Sequence, residues 1–148
     1  MRRSKIKPED LCEVIHADPG VRLKVNRGIA GFDPEDETLL SDVLELSGKG
    51  RCELGDVRSN VSISGDVFCV ARKVYGEVDV SGDASFRAES VSGAVVAMDN
   101  ASVEVVRCRR AVSWDASFVR VISAEQEGAC WDEGRLIVGG RDVLPSDP

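Results

Sequence analysis

Six blocks between Val43 and Asp132 decide how this chain is read: LELSGK (Leu44–Lys49), VSISGD (Val61–Asp66), VDVSGD (Val78–Asp83), VVAMDN (Val95–Asn100), VSWDAS (Val112–Ser117) and ACWDEG (Ala129–Gly134). Each starts seventeen residues after the last. One column reads Leu44, Val61, Val78, Val95, Val112, Ala129, and the column two places on reads Leu46, Ile63, Val80, Ala97, Trp114, Trp131. Apolar residues two apart share one face of a strand, while the residue between them points away. A second set follows at Cys52, Cys69, Phe86 and Val103, with Leu54, Ala71, Ala88, Val105 and Ile122 two places on. A third inward position falls at Val57, Val74, Val91 and Cys108. One such pair of strands cannot bury its apolar face, but stacked copies share a continuous core, which is the pattern of a solenoid.

An antiparallel sandwich also suits turns at about eight-residue spacing. It gives no reason for one column to hold over all six blocks. The expected fold is therefore mainly β: a single-stranded parallel β-solenoid of about seven coils. The repeat is uneven in one place, because DASF at Asp83, NASV at Asn100 and DASF at Asp115 are spaced seventeen and then fifteen. A short corner or bulge is expected between residues 106 and 120. Either Phe118 and Arg120 or Val119 and Val121 then point inward.

Working outward, residues 1–42 read as a small α/β cap, 43–140 as the solenoid and 141–148 as a polar tail. Pro8 suits a first helical position, and Leu11, Val14 and Ile15 follow at helical spacing. Asp18-Pro19-Gly20 turns the chain into a short strand, Val21, Leu23 and Val25. Ile29-Ala30-Gly31 sits seventeen residues before Leu46-Ser47-Gly48, which predicts a degenerate first coil beginning near Arg27. Its second strand is replaced by Asp33-Pro34-Glu35-Asp36-Glu37, a short helix by its first-turn proline and acids. After GRLIV (Gly134–Val138), Gly139-Gly140 and the tail close the chain.

Hydrophobic residues make up 43% of the chain, enough for one core, but aromatics only 5%, so that core is thin and rich in Val, Ala and Cys. MRRSKIKPED has the charge of a signal-peptide start, yet no apolar run follows, and no run reaches membrane-spanning length. A net charge of −7 disfavours general nucleic-acid binding. The five cysteines lack CxxC spacing and read as free thiols in a reducing cytoplasm. Cys52, Cys69 and Cys108 fall in inward columns, whereas Cys130 reads as exposed. His16 reads as a helix-end residue beside Asp18, and no catalytic, cofactor or metal motif is present. The turn acids Asp66, Asp83, Asp99, Asp115 and Asp132 read as residues bonding local backbone, since the glycine-rich nonapeptide of calcium β-rolls is missing. Arg107, Arg109 and Arg110 form a basic corner that reads as a solvated turn.

At DNASVEVV (Asp99–Val106) and WDASFVRV (Trp114–Val121) the chain resembles octapeptide-repeat proteins of phages, prophages and actinobacteria, built on units of the type D-N-A-S-V-x-A. The resemblance covers roughly Gly82 to Ile122 and implies a β-helix without enzymatic activity. Steps such as Gly65-Asp66-Val67 and Gly76-Glu77-Val78 are similar, more weakly, to those of bactofilins, which are cytoskeletal β-helices. From these readings the chain is expected to be a non-enzymatic protein-interaction module, in a phage or bacterial accessory role. The alternatives are a self-assembling bactofilin-like scaffold and an acidic inhibitor that mimics nucleic acid. The expected partner surface is the later half of the first strand's outward face: Ala94, Val96, Ala111, Ser113, Gly128 and Cys130. A protein partner or a second copy would bind there, unless the tail from Arg141 folds back over it.

Overall fold

A computed structural model describes residues 7–27 and 42–145 of the chain. In chain order, a four-residue helix α1 (Pro8–Leu11) and strands β1 (Ile15–Ala17) and β2 (Val21–Arg27) precede the long strand β3 (Asp42–Val57). Short and long strands then alternate: β4 (Asn60–Ile63), β5 (Asp66–Val74), β6 (Val78–Val80), β7 (Ser85–Val91), β8 (Ala94–Ala97) and β9 (Ser102–Cys108). The series continues with β10 (Arg110–Ser113), β11 (Phe118–Ala124), β12 (Ala129–Cys130) and β13 (Arg135–Val138), and β14 (Arg141–Asp142) follows. The short strands stack in the order β3-β4-β6-β8-β10-β12 and the long ones in the order β3-β5-β7-β9-β11-β13. Every contact between successive coils is parallel. The result is a parallel β-solenoid of about six turns, close to the seven expected, with a short-arm face and a long-arm face. The expected degenerate first coil and the acidic helix of Asp33–Glu37 lie outside the described residues.

The inward residues of the two faces form one core. On the short arms, Leu44, Val61, Val78, Val95 and Ala111 stack in one column, and Leu46, Ile63, Val80, Ala97, Ser113 and Cys130 in the next. On the long arms, Cys52, Cys69, Phe86, Val103, Val119 and Leu136 stack likewise. The sizes compensate along the stack. Where the short-arm column carries Leu46 and Ile63 the long-arm column carries small cysteines, and Phe86 enters where the short-arm column has dropped to Val80 and Ala97. Interiors fill at nearly constant density, so this trade keeps coils of equal length around a core of changing composition.

The coil length is constant except at one corner. Val95 pairs with Ala111 and Val103 with Val119, which are sixteen residues apart, whereas Val78 pairs with Val95 and Val112 with Ala129 at seventeen. Between Val91 and Ala94 the chain turns through Ser92 and Gly93; one coil later Arg109 alone separates β9 from β10. This is the short corner expected from the uneven repeat, and it resolves the open alternative. Val119 and Val121 point inward, and Arg120 faces solvent.

Both ends of the stack carry antiparallel strands. β1 pairs with the second half of β3 and β2 with its first half. Here two expectations for the cap are corrected. The helix stops at Leu11, and Ile15 and His16 lie in β1, with His16 opposite Glu53 rather than at a helix end. Pro8 does stand at the first helical turn, where its missing N–H costs nothing. At the far end Gly139 and Gly140, with φ of 60° and 80°, reverse the chain into β14, which pairs with β13. Two consecutive positive φ values are what a tight hairpin turn requires. The tail therefore begins as a strand, and the Val143 N–H donates to the Leu136 carbonyl at 2.8 Å.

Val80 is fully buried and its neighbour Asp79 points outward. Val80→Asp places an unpaired charge in the packed column and is expected to cost about 4 kcal/mol or more, which a denaturant melt will show as loss of the folded state. Asp79 has the opposite character. Crowding by the sheet, and then Glu77, raise its carboxyl above the ordinary range. The folded state thus holds the Asp79 proton more tightly than the unfolded state does, so this residue's effect on stability worsens as pH rises through that window. Asp79→Asn is expected to melt higher than wild type at pH 7, with the difference vanishing at about pH 3, where both states are protonated.

Candidate interaction surface

The outward row of the short-arm face runs Glu45, Ser62, Asp79, Val96, Val112, Ala129, each paired with the next. Its first half is polar and its second half apolar. Of the six residues expected on this surface, Ala94, Val96 and Gly128 are partly exposed, whereas Ala111, Ser113 and Cys130 are buried. The correction follows from the sixteen-residue step. It moves every position of β10 by one, so Ala111 lies on Val95 and Ser113 on Ala97, both inward, and Cys130 then lies on Ser113. Val112 takes the outward place beside Val96 but is only 8% exposed, and Arg110 takes the flanking place beside Ala94. Gly128 is held by close packing, because a Cβ there would stand 2.7 Å from the Ala111 carbonyl oxygen.

The same slip turns two residues out of the core. Trp114 and Trp131, expected in the inward column, lie at the corner that follows the short arm. The N–H groups of Ser64, Ser81, Met98, Trp114 and Trp131 bond the carbonyls of Leu46, Ile63, Val80, Ala97 and Ser113, one equivalent bond per coil. This corner column therefore changes from serine to Met98 and then to two tryptophans. The two indoles stack with centroids 4.2 Å apart and planes 18° off parallel, and Trp114 is 38% exposed. Their place inside is taken by a hydroxyl pair. Ser113 Oγ and Ser117 Oγ are 2.7 Å apart, and Ser117 Oγ is 2.6 Å from the Trp114 carbonyl oxygen. A buried serine partnered in this way carries little penalty, whereas an indole forced between Ala97 and Cys130 would overpack the column.

The acids at this corner have a backbone role. Gly48, Gly65 and Gly82, then Asp99, Asp115 and Asp132, all have φ between 55° and 93° at equivalent places in successive coils. The Asp99 carboxylate accepts from the Gly82 N–H at 2.9 Å, and that of Asp115 from the Asp99 N–H at 3.1 Å. They bond the coil beneath rather than their own turn. Among the described residues, no group of three or more His, Cys, Asp or Glu side chains is placed to hold a metal ion.

All five thiols are buried, including Cys130, which the sequence placed outside. Cys130 donates weakly to the Val143 carbonyl at 3.4 Å, so the returning tail lies against the end of the core. Burial pushes the Cys108 thiol up to about 11 and raises Cys12 and Cys130 as well. Cys69 is raised by its bond to Cys52 and by burial. The same bond from Cys69 lowers Cys52, while the four raised and enclosed thiols are poor nucleophiles. No described helix is long and apolar enough to cross a membrane. In comparisons by sequence and by structure, no family model, curated protein or solved structure matches this chain.

The slipped register separates two substitutions that the seventeen-residue period treats alike. Ala111→Arg is expected to unfold the protein, because Ala111 is fully buried. Val96→Arg is expected to leave circular dichroism unchanged and the melting temperature within a few degrees, roughly the 0.5 kcal/mol typical of surface changes.

Proposed function

We propose that this chain is a non-enzymatic interaction module that binds a protein partner through the later half of its short-arm face. The observation that carries this reading is the joint change of two neighbouring columns. Glu45, Ser62 and Asp79 give way to the partly exposed Val96 and the largely covered Val112 in the same coils in which Ser64 and Ser81 give way to Met98 and Trp114. Ala94, Val96, Met98, Trp114 and Trp131 form a rigid apolar strip, with Arg110 at its rim held to the Glu127 carbonyl oxygen at 3.1 Å. Contiguous apolar surface on a rigid sheet favours association, and exposed tryptophan and arginine are the residue types that most often dominate protein interfaces. The antiparallel strands β1, β2 and β14 count against end-to-end stacking as a bactofilin-like scaffold, because they occupy edges that another coil would need.

The test is affinity capture from a lysate of the encoding organism with wild type, Val96→Arg and Trp114→Ala as baits. Each variant should remain folded and should lose the protein that wild type captures. Trp114→Ala is expected to weaken binding by about 30-fold, equivalent to roughly 2 kcal/mol. Equal capture by all three baits would move the interface elsewhere. Growth of light scattering with concentration in the purified protein would instead favour self-assembly.

A further inference from the structure

A second surface lies at the other corner, where the long arm ends. One outward column there reads Asp56, Lys73, Ser90, Arg107, Ser123, each residue paired with the next. Lys73 and Arg107 are therefore the rungs on either side of Ser90, each about 4.8 Å from it along the stack. They flank a groove of about 490 Å³, with Tyr75 and Ser92 on its wall.

The chain has 26 acidic and 19 basic residues, and three arginines near this column lean on acids. Arg51 meets Glu53 at 3.0 Å, Arg87 meets Glu104 at 3.2 Å, and Arg72 lies 3.8 Å from Asp56. Lys73 and Arg107 have no carboxylate within ion-pair distance among the described residues. Asp56, the rung beneath Lys73, is turned to Arg72. Arg109 adds a third cation to the wall while pairing with Glu77 at 3.4 Å, and Glu125 contributes a carboxylate. Two cations without an acidic partner thus bracket a serine hydroxyl on rigid arms, at the side of a groove.

We propose that this groove binds the phosphoryl group of a small phosphate monoester, seated over Ser90 between Lys73 and Arg107. The lysine supplies a point charge and the arginine a fork that matches two oxygens of the group. The Ser90 hydroxyl supplies a third donor from below. The groove has room beyond the phosphoryl group for the organic part, and Tyr75, 53% exposed, gives that part an aromatic wall. This site is separate from the apolar strip and stands or falls without it.

The test is a ¹H–¹⁵N titration with inorganic phosphate and with glycerol 3-phosphate at fixed ionic strength. Saturable shifts at the amides of Ser90, Ser92 and Arg107 are expected, with a dissociation constant on the order of 1 mM for phosphate. Glycerol 3-phosphate should bind at least as tightly. Each should tighten as pH rises through its own second ionisation, about 6 for the ester and about 7 for inorganic phosphate. Lys73→Gln with Arg107→Gln should weaken binding at least tenfold in a protein with an unchanged melt, while Arg51→Gln on the same face should change nothing. Shifts that grow linearly without saturating would overturn the proposal, as would equal binding by the double variant or an ester bound tenfold more weakly than phosphate.

Discussion

One backbone position in each coil must take a positive φ, and the rest of the solenoid depends on it. After each short arm the chain has to turn at once into the long arm beneath the preceding coil, so Gly48, Gly65 and Gly82 enter the left-handed region. A Cβ on Gly65 would also stand 2.6 Å from the Gly48 carbonyl oxygen, so glycine is doubly required there. From Asp99 onward the position is filled by aspartate, one of the few side-chain-bearing residues that tolerates this conformation. The strain is offset across the stack, because Asp99 and Asp115 accept bonds from the N–H groups of the preceding coil. Within what looks like an acid ladder for a cation, Asp99 and Asp115 are thus corner clamps, each tying its coil to the one before.

With the corners held, parallel pairing copies any local irregularity into every later coil. The single residue missing at Arg109 is the clearest case. It slides β10 by one place, and because side chains alternate, that slide exchanges inside and outside. Ala111 and Ser113 become core while Val112 turns to the outer face, though still largely covered, and Trp114 becomes surface. A local fault in one loop therefore turns the indole stack outward, next to the apolar strip that already begins at Val96 and Met98. Arg107 precedes that short corner, keeps the seventeen-residue step and so lies on Ser90, which in turn lies on Lys73.

The two proposed surfaces occupy different corners and use different physics. The strip at Val96 and Trp114 is apolar and rigid, suited to burying area against another folded surface. The groove at Ser90 is polar, and its recognition rests on charge held in place by the rungs on which Lys73 and Arg107 stand. A solenoid suits this division, because each outward column is an independent row whose chemistry can change from coil to coil without disturbing the core.

By itself the sequence determined the seventeen-residue coil, the parallel stacking and most of the core, because identical apolar spacing in successive coils can be buried only by placing like on like. The spacing of the DASF and NASV motifs also located the fault between residues 106 and 120. It did not say which way the chain slides. In AVSW (Ala111–Trp114) hydrophobicity favours Val112 and Trp114 as the inward pair, yet Ala111 and Ser113 are inside. That choice belongs to the tertiary structure: Val119 and Val121 lock the long arm into its column, the core beside Ala97 has no room for an indole, and the Ser117 hydroxyl partners that of Ser113. The cap was misread for a related reason. Leu11, Val14 and Ile15 have helical spacing, but β3 offers its free edge to Ile15–Ala17, and pairing along that edge outweighs the weak helical preference of so short a segment. Lys73, Ser90 and Arg107 lie seventeen residues apart and were legible as a column; that Asp56 faces Arg72 and leaves Lys73 without an acid was decided only by the tertiary structure.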